Sequence, residues 1–229
     1  MLIATRRVAA TVLLSLAALA GVSAAAQTQT ALDKQLSRLD LALLGIGQFS
    51  NTNHGTNNQK SSLTGEPLTT RPTRDFNGAG QISYTKSTWV GVQFNYIHGR
   101  NAYNFSTLAL VPSGGATPLL VDIQTNADEY SFGYLAHPHP FRLVKPFVSA
   151  GAGVISFAPT AGGGEGYKQQ ARFTEFYSVG ADVPITEHLG LRGEIRQKFY
   201  LHPDYETNYL RDLTRSETIE PAVGFYLRF

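Results

Sequence analysis

From Leu39 onward the chain alternates apolar and polar residues with a period of two, the spacing of a strand with one oily face. A helical period shows only over Thr30–Asp40. The alternation predicts eight strands: Leu39–Phe49, Arg74–Thr85, Thr88–His98, Asp128–Ala136, Pro146–Phe157, Phe173–Val183, Leu191–Tyr200 and Thr218–Phe229. In the third, Val90, Val92, Phe94 and Tyr96 stand against Gly91, Gln93 and Asn95. In the eighth, Ile219, Val223, Phe225, Leu227 and Phe229 stand against Glu220, Ala222, Gly224, Tyr226 and Arg228. The first strand fits least well, because Leu44 and Ile46 fall on the face expected to be polar.

A soluble sandwich also alternates, so the connections carry more weight. Strands two and three, four and five, and six and seven are joined by Lys86-Ser87, His137–Lys145 and Pro184–Gly190. The other links, Ser50–Thr73, Gly99–Ala127, Ala158–Arg172 and Leu201–Glu217, are long. Short turns at one end and long loops at the other are expected of a barrel that crosses an outer membrane. Polarity of the two faces agrees: the less oily face is rich in Gly and small residues, suited to a crowded interior. Trp89, Tyr84, Tyr96, Tyr130, Phe199 and Phe229 lie near the ends of the oily face, where a lipid-facing wall carries its aromatic girdles.

Composition narrows the function classes. With 42% hydrophobic, 11% aromatic and 16% charged residues, the chain is not a disordered one. The absence of Cys removes disulfide frameworks, thiolate metal sites and thiol nucleophiles. The net charge of +2 comes entirely from Arg6 and Arg7; the remaining bases and acids balance, which argues against nucleic acid as a partner. Those two arginines precede the apolar run Val8–Val22, which ends in Ser23-Ala24-Ala25-Ala26. The pattern predicts a cleaved export signal over residues 1–26, a short periplasmic segment over 27–38 and a barrel over 39–229. No later stretch is apolar enough for a membrane helix, so a mature chain that spans lipid must do so as a closed barrel.

The ending Ile219-Glu220-Pro221-Ala222-Val223-Gly224-Phe225-Tyr226-Leu227-Arg228-Phe229 resembles the C-terminal strand of bacterial outer-membrane proteins. Lys145–Val154 is similar to the fifth strand of small OmpA/OmpX-type barrels, and Pro184–Arg196 to their sixth-to-seventh hairpin. The resemblance covers about Leu39–Phe229. It implies an all-β, eight-stranded antiparallel up-and-down transmembrane barrel, monomeric, in the outer membrane of a Gram-negative-type bacterium. It also implies that Val223, Phe225, Leu227 and Phe229 form the signal read by the assembly machinery during insertion. Lipid and lipopolysaccharide are then the surroundings, and the loops are the place for a surface ligand. Unlike OmpA, no peptidoglycan-binding domain follows the barrel, so a cell-wall tether is not carried over.

An eight-stranded barrel is just wide enough to be filled by side chains. The inward set is expected to hold Asp40, Glu129, Asp182, Arg192, Glu194, Arg196, Lys198, Glu220 and Arg228. Charges in so narrow a space must pair. The hairpin puts Asp182 near Arg192, barrel closure puts Arg228 near Asp40, and Glu194 lies between Arg192 and Arg196 on one face. A rigid plug of ion pairs is the expected use of this set; a gate whose pairs exchange to admit ions is the alternative. No enzyme chemistry is evident. Lipid A deacylases of this fold carry a His two residues before a Ser, and neither His98, His188 nor His202 has that Ser. His137-Pro138-His139-Pro140 reads as a stiff turn rather than a metal site, and Ala161–Gly166 as a loop tip; no cofactor is expected. The tract Asn51–Asn58 reads as a solvated loop, or as a surface for adhesion or phage. A lipid A-modifying enzyme, or a soluble secreted barrel that binds a ligand with its oily face turned inward, is a further alternative.

Overall fold

The computed structural model describes residues 31–51, 53–54, 69–110, 116–138, 141, 143–206 and 215–229. The chain divides into two units, Met1–Gln35 and Leu36–Phe229. In the first unit the described part is the start of the helix α1 (Ala31–Leu36). The expected export signal lies outside the described residues, as do most of the Asn51–Asn58 tract and His139 and Pro140.

The second unit is a sheet of strands β1 (Leu39–Ser50), β2 (Asn53–His54), β3 (Thr69–Pro72), β4 (Asp75–Ser87), β5 (Val90–Leu110), β6 (Ala116–Ala136), β7 (Lys145–Pro159), β8 (Gln170–Pro184), β9 (Leu189–Leu201) and β10 (Arg215–Arg228). Each of β1 and β4–β10 pairs antiparallel with two neighbours, and the ladders β1–β10 and β5–β6 close the ring. The eight-stranded barrel expected from the sequence is therefore present. It leaves no open edge among these strands, the condition for backbone amides to survive in lipid. β2 and β3 are additions on the loop side, with β3 laid against the upper part of β5 through Thr69↔Ser106 to Pro72↔Tyr103.

The oily face points outward. Val90, Val92 and Phe94 on β5, Tyr130, Phe132 and Tyr134 on β6, Val179 on β8, Ile195 on β9 and Phe225 on β10 are all exposed. Their neighbours one residue away in sequence, such as Gln93, Ser131, Ser178, Glu194 and Arg196, are buried in the lumen. Val223, Phe225, Leu227 and Phe229 belong to the outer wall.

Two expectations change, and one misfit finds its reason. Gly99–Leu110 and Ala116–Ala127 are strand, not loop: β5 and β6 run 21 residues each and stay paired as far as Leu110↔Ala116. Crossing the oily layer takes about 9–11 tilted residues, so roughly half of each strand stands beyond it as a hairpin. Second, Lys86 and Ser87 belong to β4, the turn to β5 is Thr88-Trp89, and an irregularity in register falls between Thr85 and Ser87. Leu44 and Ile46 sit correctly for β1's alternation but face the lumen, where they pack with Ala42, Ala79, Ile97, Ala222 and Tyr226. The interior is two-sided: acids and bases come from β6, β8, β9, β10 and the first residues of β1, while the other buried side chains of the β1–β4–β5 wall are apolar, amide-bearing or, at Ser83, a hydroxyl.

Candidate functional site: a filled lumen between two mouths

The lumen is arranged in layers along its axis. Nearest the short turns, Arg192 donates from Nε and Nη2 to the two carboxylate oxygens of Asp182 at 2.8 and 2.9 Å. Arg228 engages Asp40 in the same two-pronged way, at 2.7 Å for both bonds. Arg192 Nη2 lies 4.0 Å from Asp40, so the two pairs touch. Parallel forked contacts of this kind fix geometry as well as charge. Arg228 is only half-buried, at the rim, whereas Arg192, Asp182 and Asp40 are fully buried.

Aromatic rings complete the layer. The Arg192 guanidinium lies 5.1 Å from the Phe147 ring centre and 5.5 Å from that of Tyr226. Both rings need glycine opposite them. A Cβ at Gly180 would collide with Phe147, and one at Gly190 with Tyr226. The small-residue face read in the sequence thus makes room for rings that hold a cation.

In the middle layer β9 reaches across the lumen in both directions. Arg192 Nη1 donates to Gln81 Oε1 at 3.2 Å and Gln81 Nε2 donates to Glu194 at 3.2 Å. On the other side Arg196 pairs with Glu129 and lies 3.5 Å from Glu220, with its guanidinium 4.1 Å from the Phe176 ring centre. Lys198 bridges the same two acids at 3.3 and 2.5 Å. Glu194 makes no ion pair among the described residues; its amide partner is Gln81 and its Oε2 accepts no hydrogen bond.

At the loop end the polarity of the interior reverses. Tyr103, Phe105, Ile123, Ala127, Ile155, Phe157, Tyr200 and Tyr205 form a buried cluster inside the barrel wall. Tyr103 and Tyr200 share a hydrogen bond of 3.2 Å, and Phe157 meets Tyr103 edge-on at 5.7 Å between ring centres. Lys198 Nζ, 5.7 Å from the Tyr200 ring centre, joins this plug to the ion pairs below. Beside it, burial works to raise the Asp204 carboxyl, but a hydrogen bond from Gln170 and the charge of Arg172 hold it below the usual carboxylate range.

At the opposite mouth a cavity of about 340 Å³ opens below Asp40 and Arg228, with Arg38, Thr85, His137 and Lys145 in its wall. Burial pushes the His137 imidazole below its ordinary range. Neither of its ring nitrogens has a hydrogen-bond partner among the described residues.

Sequence reasoning missed Gln81, which links two layers, and the plug. An amide carries no signature of its role. The plug did have one: Tyr103 and Phe105 continue the alternation of β5, on the same parity as Gln93 and Asn95.

Comparison with curated protein sequences finds no match. Among solved structures, the barrel is similar to Neisserial surface protein A, with 12% identity over 83% of this chain and 97% of that one, at a TM-score of 0.54. It is equally similar to the outer membrane protein OprG from Pseudomonas aeruginosa, with 12% identity over 83% and 95% and a TM-score of 0.54. Identities this low speak for the fold alone. A family model described as outer membrane protein beta-barrel domain matches residues 14–211. With the closed ring, the oily outer wall and the ion pairs within, that match places the protein in the outer membrane: the chain belongs to the outer membrane protein beta-barrel domain family.

Proposed function

We propose that this protein is a closed, non-conducting barrel that anchors the β5–β6 hairpin at the cell surface, where the hairpin meets a partner outside the cell. The observation that carries this reading is the filling of the lumen: forked ion pairs at one level, the Arg196–Lys198–Glu129–Glu220 cluster at the next, and an aromatic plug above them. A barrel so filled leaves little for solute to pass through. What it does offer is a rigid mount for a hairpin whose outward side chains, among them Asn104, Asp122 and Gln124, are polar. Eight of the nine charged residues of the interior serve as stabilising pairs rather than as chemistry, Glu194 is held by Gln81, and no catalytic role is assigned. Residues 1–26 direct export, and Val223, Phe225, Leu227 and Phe229 present the outward pattern that the assembly machinery reads.

The test has two parts. The folded protein reconstituted in planar bilayers gives no discrete openings. A variant in which Asn-Gly replaces residues 106–120, closing the hairpin with a two-residue turn at the Phe105↔Val121 pair and so keeping Tyr103, Phe105 and Ile123 of the plug, folds and inserts but loses binding of cells to host surfaces or matrix. Retained binding by that variant overturns the reading. A narrow cation path is the second reading, favoured by Glu194, whose carboxylate makes no ion pair among the described residues. It requires openings that change on Glu194→Ala, and silence in both proteins removes it.

A further inference from the structure

The cavity at the short-turn mouth is a blind vestibule. Its inner end is closed by the Asp40–Arg228 and Asp182–Arg192 pairs and by Phe147, whose ring centre is 6.1 Å from that of His137. Asp40 is already neutralised by Arg228, so its charge does not repel an incoming anion. What remains is cationic. Arg38 and Lys145 line the cavity and make no ion pair among the described residues. Three further polar atoms are buried there without hydrogen-bond partners among the described residues: Thr85 Oγ1 and both ring nitrogens of His137.

Buried polar atoms left unpaired are costly, and the two residues that carry these, Thr85 and His137, stand in the wall of the same cavity as the two cations. The elements that deliver them are independent. Arg38 precedes β1, Thr85 is on β4, His137 follows β6, and Lys145 opens β7. Closure of the ring is what brings them together.

We propose that this vestibule binds a small phosphate-bearing anion on the periplasmic side. Two free cations call for at least one negative charge, and more donors converge than the two oxygens of a single carboxylate can engage. A tetrahedral oxyanion matches a guanidinium, an ammonium, a hydroxyl and an imidazole at once. The imidazole sharpens the choice. Held neutral by its burial, and facing Asp182, Asp40, Arg192 and Arg228, it offers one N–H donor and one lone pair. The two nitrogens point away from each other across the ring, so a phosphate meets one of them: an oxygen accepts the N–H, or the O–H of hydrogen phosphate meets the lone pair. The inference stands apart from the hairpin's role at the other end of the barrel.

The experiment uses the full folded chain in a detergent without phosphate, titrated calorimetrically with inorganic phosphate. One saturable site is expected. Its affinity falls about tenfold or more in Lys145→Gln and in Arg38→Gln, the loss of one charge-assisted contact each. It falls several-fold in His137→Phe, which keeps a ring beside Phe147, and is unchanged in Lys168→Gln at the far end. Heat-dependent gel mobility checks that each variant is folded. Absence of saturable binding, binding that survives both cation variants, or acetate binding as tightly as phosphate overturns the proposal. Two further arms separate the sources of phosphate. If a lipid headgroup fills the vestibule, free phosphate binds at least tenfold more weakly in phosphatidylglycerol nanodiscs than in detergent; if a soluble ligand does, the two affinities agree.

Discussion

Asp182 on β8 and Arg192 on β9 stand directly opposite each other in register and join through two hydrogen bonds in a lumen where neither side chain meets solvent. A pair of this kind is not a net source of stability when compared with well-packed apolar residues, but breaking one half is expensive because the other charge stays buried. In Asp182→Ala the Arg192 guanidinium keeps neutral Gln81 and Ser83 as hydrogen-bond partners, but its one remaining ion-pair partner among the described residues is Asp40, at 4.0 Å, and that acid is already engaged by Arg228. The expected loss is about 3–5 kcal/mol, read as a lower urea midpoint for unfolding from micelles. Replacing both partners with apolar residues of similar volume is expected to recover most of it.

Orientation of the wall gives a second expectation. Phe132 faces outward and Ser131 inward, one residue apart on β6. Phe132→Arg puts a cation in the oily layer and is expected to destabilise the barrel by about 2–4 kcal/mol if it falls near mid-membrane. Phe132→Leu, which keeps an apolar surface toward lipid, is expected to be close to neutral. The readout is the folded fraction after dilution from urea into lipid vesicles. Equal folding of Phe132→Arg and Phe132→Leu would contradict an outward oily face.

How much of this was legible follows from where polarity and parity agree. In the lipid layer every second residue is oily and the intervening ones are small or polar, so Val90 to Tyr96 announce both strand and face. The opposition of Asp182 and Arg192 follows from the spacing of one short hairpin. Beyond the lipid, water replaces acyl chains outside the wall, and the preference of each face inverts. Gln93 and Tyr103 occupy the same inner parity of β5, but one belongs to the polar lumen and the other to an aromatic plug. The run of outward oily residues breaks off where the medium changes, which is why the β5–β6 extension reads as a loop. Leu44 and Ile46 are the opposite case: they were visible as misfits, but only the closed ring supplies their apolar neighbours Ala79, Ile97 and Ala222.

The plug is expected to behave as a separate unit of stability. Phe157 is buried against Tyr103 and Tyr200, with ring centres 5.7 and 5.9 Å away. Phe157→Ala removes those contacts and leaves a cavity, at a cost of about 3–5 kcal/mol. Because the plug lies on the loop side of the ion pairs, the expected effect is local. Amide exchange quickens from Tyr103 to Ile123, while Phe94, Phe132 and Val179 in the oily layer keep their protection. Uniform loss of protection along β5 would show that plug and barrel melt together.

The vestibule sets a pH expectation whose direction follows from the histidine. Burial favours the neutral imidazole of His137, so its folded pKa lies below the ordinary value of 6.5, and the nearby acids Asp182 and Asp40 only partly offset the burial and the cations Arg192 and Arg228. Between the folded and unfolded values the unfolded chain therefore binds more protons, and stability rises with pH. His137's contribution is complete above about pH 6.5 and is lost as pH falls through its lower folded value. In His137→Phe that part of the acid dependence disappears, because nothing at the position titrates. The urea midpoint measured from pH 7.5 to pH 5 is expected to drop in the parent protein and to drop less in the variant. Phosphate in the buffer should flatten the parent's curve if its anion form supplies a partner for the ring as it gains a proton. Parallel curves for the two proteins would mean that His137 is solvated and takes up its proton alike in both states.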